Sequence, residues 1–272
     1  MDKFVKLGQD MALLWDKYHA MYLSGIWSTL RLAFIATVIG CVIGLLCGVL
    51  NTIPYTKNDP LPKRFLLKLL RVIIRIYVEV FRGTPMVLQA VFIVYGLPYF
   101  TDNALRFDNI WVAAILIVSI NTGAYMAESV RGGIISIDPG QTEGAKAIGM
   151  THVQTMLYVI LPQALRNIMP QIGNNLIINI KDSCVLSVIG VTELLYKTKA
   201  AAGALYMNFE AYTITMIIYF IMTFTCSRIL RWWENRMDGA DSYDLATTDT
   251  LAHTSGMYRF PDEKDKKKED AR

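Results

Sequence analysis

The sequence predicts an all-α membrane protein with five transmembrane helices, an extracytoplasmic N-terminus and a cytoplasmic C-terminus. Of its 272 residues, 53% are hydrophobic and 18% are charged, whereas soluble domains carry nearer a quarter charged residues. Five segments are long and apolar enough to cross a bilayer, which takes about 20 residues in a helix. Lysine and arginine gather at alternate ends of these segments, as the positive-inside rule requires.

The predicted spans are 23–50, 74–97, 110–134, 164–191 and 212–230. The first carries the glycine face, Gly40, Gly44 and Gly48, whose spacing of four favours close helix packing. An Arg-Gly-Thr-Pro stretch at 82–85 interrupts the second. Broken membrane helices are tolerated where they line a cavity, so the break points to a possible substrate path.

Basic residues set the orientation. The loops 51–68 and 131–166 and the end of the last span carry most of them: Lys57, Lys63, Arg64, Lys68, Arg131, Lys146, Arg166, Arg228, Arg231 and Arg236. We therefore expect these regions to be cytoplasmic and residues 1–22 to be extracytoplasmic. Residues 236–272 are too polar to fold alone and are predicted to form a disordered cytoplasmic tail.

Several classes of site are not expected. The four cysteines lie in apolar runs and the three histidines are scattered, so neither a metal site nor a catalytic residue is predicted. Nothing indicates a nucleic-acid partner. The chain also lacks a Gly-x-x-x-x-Gly-Lys-Ser/Thr phosphate loop, so we expect it to bind no cofactor and not to be an enzyme.

A short helix at 140–150 is the candidate docking element. Its residues of interest are Gly140, Glu143, Gly144, Ala145, Ala147 and Gly149. The acid lies in the first turn, where it favours the helix dipole, and the small residues let a partner approach closely. An interfacial helix that rests on the bilayer is the alternative, and the residues alone do not decide between the two.

The docking segment carries a family resemblance. Glu-Gly-Ala-Lys-Ala-Ile-Gly-Met at 143–150, with Val-Ile-Leu-Pro-Gln-Ala-Leu-Arg-Asn-Ile-Met-Pro at 159–170, resembles the EAA loop of ABC importer permeases. Four further motifs are similar to the polar amino acid subfamily, the histidine, glutamine and arginine permeases. They are Tyr-Val-Glu-Val-Phe-Arg-Gly-Thr-Pro at 77–85, Ala-Tyr-Met-Ala-Glu-Ser-Val-Arg-Gly-Gly-Ile at 124–134, Gly-Asn-Asn at 173–175, and Lys-Asp-Ser-Cys-Val-Leu-Ser-Val-Ile-Gly-Val-Thr-Glu-Leu at 181–194.

The resemblance covers residues 23–235, with two departures. Gly144 stands where the family usually has alanine, which costs about 1 kcal/mol of local helix stability. Cys184 and Val185 replace the usual Ser-Leu. We expect docking to survive the first change.

The resemblance implies a type I ABC importer permease (MetI-like) fold for 23–235, in a multi-pass subunit of the bacterial plasma (inner) membrane. It implies that 140–150 is a coupling helix seated in a cytoplasmic ATPase subunit. The expected partners are two such ATPases, which bind ATP and Mg²⁺, a second permease that is identical or homologous, an extracytoplasmic solute-binding protein, an amino acid substrate and membrane lipid. The implied function is the permease subunit of an ATP-driven amino acid importer.

Charges inside the predicted spans mark a second candidate site, because each costs at least a few kcal/mol there. Lys181 and Asp182 are adjacent in the fourth span, and neighbours lie about 100° apart on a helix, so they cannot pair face to face. Together with Gln89, Asn175 and Ser183 they are candidates for the substrate pathway. Shaping the fold is the alternative role.

Glu79, Arg82 and Glu128 lie toward the cytoplasmic ends of their spans. We expect structural ion pairs there, either Arg82–Glu128 or Arg75–Glu79, although a functional role stays open.

Two other classes of protein are weaker fits. An ion-driven secondary transporter usually has more spans and an internal repeat in one chain. A membrane scaffold or receptor has little reason to bear the cost of the charges at Lys181 and Asp182.

Overall fold

A computed structural model describes residues 3–55 and 59–238. Within these ranges every regular element is helical, in agreement with the predicted class. The α-helices are α1 Lys3–Thr52, α2 Leu61–Gly83, α3 Met86–Val91, α4 Leu97–Phe100, α5 Ile110–Ile135, α6 Pro139–Ala147, α7 His152–Gln154, α8 Leu161–Asp182, α9 Leu194–Leu205 and α10 Asn208–Asp238. The predicted disordered tail lies outside the described residues beyond 238.

The first helix is much longer than its predicted span. It contains 50 residues, about 75 Å at 1.5 Å per residue, because no proline interrupts the sequence before Pro54. Most of the segment predicted to precede the first span, from Lys3 onward, therefore forms the beginning of α1 itself.

The glycine face of α1 packs directly on α5. A Cβ atom added at Gly40 would lie 2.6 Å from the Cβ of Thr122, and one added at Gly48 would lie 2.5 Å from that of Val130. The middle glycine faces Met126 even more closely. Only glycine permits this approach, which confirms the predicted close packing. Because residue numbers rise together along the contact, α1 and α5 run in the same direction.

Helix α8 runs against α5. Near its start it places Ile168 against Gly133, and two turns later the Asn175 amide lies 3.0 Å from the sulfur of Met126. Numbers rise in one helix as they fall in the other, so the two are antiparallel.

Helix α10 in turn runs against α8. The Tyr219 hydroxyl contacts Glu193, which lies beyond the end of α8, whereas Leu230 packs against Gly173 in the middle of α8. Helices α1, α5 and α10 therefore share one direction and α8 has the other.

The second predicted span is broken where the sequence indicated. Helix α2 ends at Gly83, Thr84 and Pro85 are extended, and the chain turns by 111° into the segment Met86–Phe100, which includes a π-helical turn at Phe92–Gly96. The proline has no N–H to continue the helix, and it disfavours helical geometry at the residue before it.

In the part of the chain that the structure describes, three helices are long and apolar enough to cross a membrane on their own, and the number rises to five if each of two bent pairs counts as one span. The second bent pair is His152–Ile189 with Leu194–Leu205, which meet at 56°. The predicted spans 110–134 and 212–230 correspond to α5 and to the middle of α10.

The segments predicted to be cytoplasmic lie together at one end of the bundle. The Arg71 guanidinium donates to the carbonyl of Ile53, which joins the start of α2 to the end of α1. Between the end of α5 and the start of α8, Asn167 donates to the Ser136 hydroxyl at 3.3 Å. The last turns of α10 reach the same end, which we call the docking end because α6 lies there.

Candidate docking and pathway sites

Helix α6 is fixed at its start and at its finish. The Asp138 carboxylate accepts a hydrogen bond from the backbone N–H of Gly140 at 2.6 Å, and Pro139 occupies the first helical position. At the other end, Gly149 has φ +86°, and the N–H of Met150 donates to the carbonyl of Ala145 at 3.1 Å. This is a Schellman ending, in which glycine supplies the left-handed conformation. The predicted short helix ending near Gly149 is confirmed.

The small residues of α6 do not share one role. Ala145 is buried against the π-helical turn Thr155–Ile160, so it does not belong to an open docking face, whereas Gly149 is exposed and also supplies the left-handed conformation that ends the helix. Glu143, Gly144 and Ala147 are exposed, and a Cβ atom on Gly144 would meet nothing within 4 Å.

An exposed apolar residue extends this open face. Ile148 is 80% exposed at the end of α6, and the sequence analysis did not single it out. Ile148 therefore adds one large apolar side chain to the open face beside glycine and alanine.

Helix α6 is linked to the bundle through α8. The Gln163 amide donates to the carbonyl of Val159 at 2.7 Å and to the side-chain oxygen of Gln141 at 3.4 Å. Thr151 and Gln154 form a capping box that starts the helical segment leading to α8. A turn at 148–151 separates α6 from this helical segment, and the Gln163–Gln141 contact bridges α6 and α8 directly.

Gln89 braces the break between α2 and α3. Its side-chain amide donates to the carbonyls of Phe81 and Thr84, both at 2.9 Å, and its oxygen accepts from Asn121 at 3.0 Å. These bonds satisfy carbonyls that the end of α2 leaves without intrahelical partners. Gln89 is buried in the single subunit and supports the fold at the break, while its role in a pathway stays a prediction.

Asn175 and Ser183 also face the interior of the subunit. The Asn175 amide donates to the carbonyl of Gln171 at 3.0 Å, and the Ser183 hydroxyl donates to the carbonyl of Ile180 at 2.9 Å. Both residues are buried. Within the single subunit, packing against α5 and the end of α8 encloses them, and their place on the pathway stays a prediction.

A buried cluster of polar side chains joins α1, α5 and α8. The Asn179 amide donates to the hydroxyls of Thr37 in α1 and Thr122 in α5, at 2.8 Å and 2.9 Å. All three side chains are buried. The sequence marked Asn179 only as a polar residue in an apolar span.

Lys181 and Asp182 remain exposed where α8 passes into the 3₁₀ turn Ser183–Ile189. Among the residues that the structure describes, neither makes a salt bridge. They lie less than one helical turn from the buried cluster around Asn179. Of the predicted pathway residues, these two alone present charged groups to the outside of the subunit.

Among the described residues, neither Arg82–Glu128 nor Arg75–Glu79 forms a salt bridge, so these ion pairs stay a prediction. Glu128 pairs with Arg131, one turn later in α5, with 3.2 Å between Nε and Oε2. Arg82 instead lies over the ring of Tyr125, 5.5 Å from its centre. Spacing of three on one helix brings Glu128 and Arg131 together without any tertiary requirement. Glu79 is exposed and makes no salt bridge within the described ranges.

A buried carboxylate was missed altogether. Glu193 is 0% exposed and accepts hydrogen bonds from the N–H groups of Leu195 and Tyr196, at 2.8 Å and 2.7 Å, and from the Tyr219 hydroxyl at 3.0 Å. It caps α9 and ties that helix to α10. The available signal was an acid directly before an apolar helical run.

The chain is similar to transport proteins. Residues 62–239 match the family described as binding-protein-dependent transport system inner membrane component. The glutamine transport system permease protein GlnP of Escherichia coli (strain K12) is 36% identical over 229 residues, which are 84% of this chain and 97% of the relative. The arginine transport system permease protein ArtQ of Bacillus subtilis (strain 168) is 32% identical over 222 residues, 80% of this chain and 93% of the relative.

Solved structures of transporters are also similar to this chain. The crystal structure of an amino acid ABC transporter with histidines matches at a TM-score of 0.72 and 36% identity, covering 83% of this chain and 98% of that one. An inward-facing structure of the MetNI methionine ABC transporter matches at a TM-score of 0.59 and 22% identity, covering 79% and 97%. The second likeness concerns the fold alone.

Proposed function

This chain belongs to the family of binding-protein-dependent transport system inner membrane components, and on that basis we propose that it is the permease subunit of an ATP-driven amino acid importer. The observation that carries the proposal is α6: a short helix, capped at both ends, whose Glu143, Gly144, Ala147 and Ile148 stay exposed at the docking end. We assign this open face to contact with a cytoplasmic ATPase subunit.

The proposed topology has five crossings, with residues 1–22 extracytoplasmic and the C-terminus cytoplasmic. Helices α1, α5 and α10 are three crossings in one direction. The two bent pairs, Leu61–Gly83 with Met86–Phe100 and His152–Ile189 with Leu194–Leu205, are the two return crossings. The antiparallel contact of α8 with α5 and α10 supports this alternation, and the basic residues at the docking end support its cytoplasmic side.

The proposed coupling runs from α6 to α8. Two ATPase subunits hold ATP and Mg²⁺, and each docks on the α6 of one permease, with a second permease, identical or homologous, completing the path. When the ATPases close on nucleotide, α6 moves, and the Gln163–Gln141 contact and the helical connection to α8 transmit the movement. An extracytoplasmic solute-binding protein delivers the substrate.

The proposed substrate is a polar amino acid. Lys181 and Asp182 present both signs of charge, without salt-bridge partners among the described residues, at the end of α8, and a zwitterion carries complementary charges. The names of GlnP and ArtQ, which concern glutamine and arginine, support the same substrate class.

The coupling assignment is tested with Gly144→Trp and Glu143→Lys. Both positions are exposed and Gly144 has open space around it, so the permease should still insert and fold. We expect the ATPase subunit to be lost from affinity-purified complexes and ATP-dependent uptake into vesicles to fall to background.

Val153→Trp is the matched control, since Val153 is 63% exposed at the same end but lies outside α6. It should retain the ATPase. Normal ATPase recovery with both α6 variants would refute the coupling assignment. Uptake by the wild-type protein in vesicles that hold an ion gradient but no ATP would refute the importer itself.

A further inference from the structure

Residues 64–76 of α2 carry two parallel rows of side chains. A basic row, Arg64, Lys68, Arg71 and Arg75, follows the spacing i, i+4, i+7, i+11. An apolar row, Phe65, Leu69, Val72 and Ile76, repeats the same spacing one residue later. At 100° per residue each row occupies a stripe about 60° wide, and the stripes adjoin one another along the helix.

The apolar row does not pack inside the subunit. Its four side chains are between 45% and 70% exposed, and Ile74 is the buried residue of α2 within the described structure. Helix α2 meets α5 on a different face, where the Tyr77 hydroxyl donates to the carbonyl of Ile120 at 2.6 Å. The apolar row is therefore free to contact lipid.

The contact of Arg71 fixes the depth of the basic row. Its guanidinium donates to the carbonyl of Ile53 and lies 4.6 Å from the ring centre of Tyr55, just past the end of α1. At 1.5 Å per residue along the axis, Arg64 lies up to about 10 Å farther from the bundle and Arg75 about 6 Å nearer to it. The row thus extends about 16 Å along the helix axis, which exceeds the thickness of one headgroup layer, about 5–8 Å, so some of its basic side chains lie within reach of that layer at the docking end.

Two cations of the row are available for a ligand. Lys68 and Arg75 are exposed and make no salt bridge in the described part of the chain. By contrast, Lys63 lies about 140° around the helix from Lys68 and pairs with Asp59 at 2.7 Å. The free positive charge is concentrated on the side next to the apolar row.

We propose that residues 64–76 of α2 are a binding site for anionic phospholipid, with acyl chains along the apolar row and the phosphate between Lys68 and Arg75. An amphipathic helix with clustered basic residues attracts anionic lipid, and basic side chains reach headgroups while their stems stay in apolar surroundings. The charge of the row selects an anionic lipid over a neutral one. This inference rests on the proposed membrane placement of the docking end.

The test counts lipid on the purified full-length permease with its ATPase subunits. Phosphatidylglycerol is titrated in detergent, phosphatidylcholine with the same acyl chains is the neutral reference, and bound lipid is measured by native mass spectrometry. We expect preferential binding of phosphatidylglycerol. The double variant Lys68→Gln/Arg75→Gln should weaken it about thirtyfold, the loss expected when two basic residues are removed from an anionic membrane surface.

Two matched variants serve as controls for this measurement. Lys63→Gln removes a charge from the same helix but from the other side and should bind like the wild type. Lys68→Arg/Arg75→Lys preserves both charges and should bind nearly as well, which excludes misfolding as the cause of the loss.

Equal phosphatidylglycerol binding by the Lys68→Gln/Arg75→Gln protein would overturn the proposal, and so would an equal loss with Lys63→Gln. Full displacement of phosphatidylglycerol by free glycerol phosphate would show a phosphate site without a lipid. Co-purification of a protein that excludes lipid would assign the apolar row to contact with a partner helix. Either result would overturn the proposal. Because lipid is counted without uptake, failure of the importer proposal would be seen separately.

Discussion

The side-chain amide of Asn179 donates to the hydroxyl of Thr37 at 2.8 Å, across 142 residues of sequence. The same amide bonds Thr122 in α5, and the Thr37 hydroxyl donates to the carbonyl of Ala33 within α1. A single asparagine therefore links α1, α5 and α8 near the end of α8.

Asn179→Ala should destabilise the subunit, because it removes two buried interhelical hydrogen bonds and leaves the Thr37 hydroxyl with only its bond to Ala33. Interhelical hydrogen bonds of this kind contribute about 0.6 to 1.7 kcal/mol in membranes. We expect a lower thermal unfolding temperature in detergent. Asn174→Ala is the control, since Asn174 is half-buried on the same helix. Equal unfolding temperatures for the two variants would contradict a role of the cluster in stability.

Gly44→Leu should separate α1 from α5. A Cβ atom at Gly44 would overlap the side chain and backbone around Met126, and overpacking of this kind costs about 1–3 kcal/mol or more. We expect low recovery of monodisperse protein by size-exclusion chromatography. Gly8→Leu is the control, because a Cβ atom added at Gly8 on the same helix has no described neighbour within 4 Å, and it should behave like the wild type. A normal elution profile for Gly44→Leu would refute the close contact.

Substitutions at position 149 distinguish a requirement for left-handed backbone conformation from a requirement for a small side chain. Asparagine tolerates the left-handed region, whereas valine pays about 1–2 kcal/mol or more there. We therefore expect Gly149→Asn to keep ATPase association close to wild type and Gly149→Val to weaken it, measured by affinity co-purification. If both variants lost the ATPase equally, Gly149 would belong to the contact itself rather than to the ending of α6.

Gln89 and Asn121 should be energetically coupled, because the Asn121 amide donates to the Gln89 oxygen at 3.0 Å. A double-mutant cycle with Gln89→Leu and Asn121→Leu, followed by thermal unfolding, should give a coupling energy of about 0.6 to 1.7 kcal/mol. Additive effects of the two substitutions would show that the brace at the break does not depend on this contact.

Lys181→Ala should reduce uptake without reducing stability. The side chain is exposed and makes no salt bridge among the described residues, so its loss leaves no buried group unpaired. We expect uptake to fall about tenfold, which corresponds to about 1.4 kcal/mol, at an unchanged unfolding temperature. Lys6→Ala, at the far exposed start of α1, is the control. Unchanged uptake would remove Lys181 from the pathway.

Much of the fold follows from local pattern. The limits of α5, the break at 82–85 and the short helix at 140–150 were predicted from hydropathy, proline and glycine alone. The salt bridge of Glu128 with Arg131 was not predicted, because the choice between two nearby arginines depends on side-chain geometry that the spans do not specify.

The residues that the prediction missed share a cause. Glu193 and Asn121 acquire their roles from partners in other helices, the Tyr219 hydroxyl and the Gln89 oxygen. Nothing local to either residue distinguishes a buried polar side chain with a satisfied hydrogen bond from one that faces a cavity.

The sequence by itself determined the class of the protein, because hydrophobic length, basic residues and helix-breaking residues act through the local chain and the bilayer. Only the tertiary structure decided which small and polar residues face inward. It turned Ala145, Gln89 and Asn175 toward the subunit and left Glu143, Gly144, Lys181 and Asp182 outside. That division is set by packing between helices that are distant in sequence, which the pattern of any one helix does not contain.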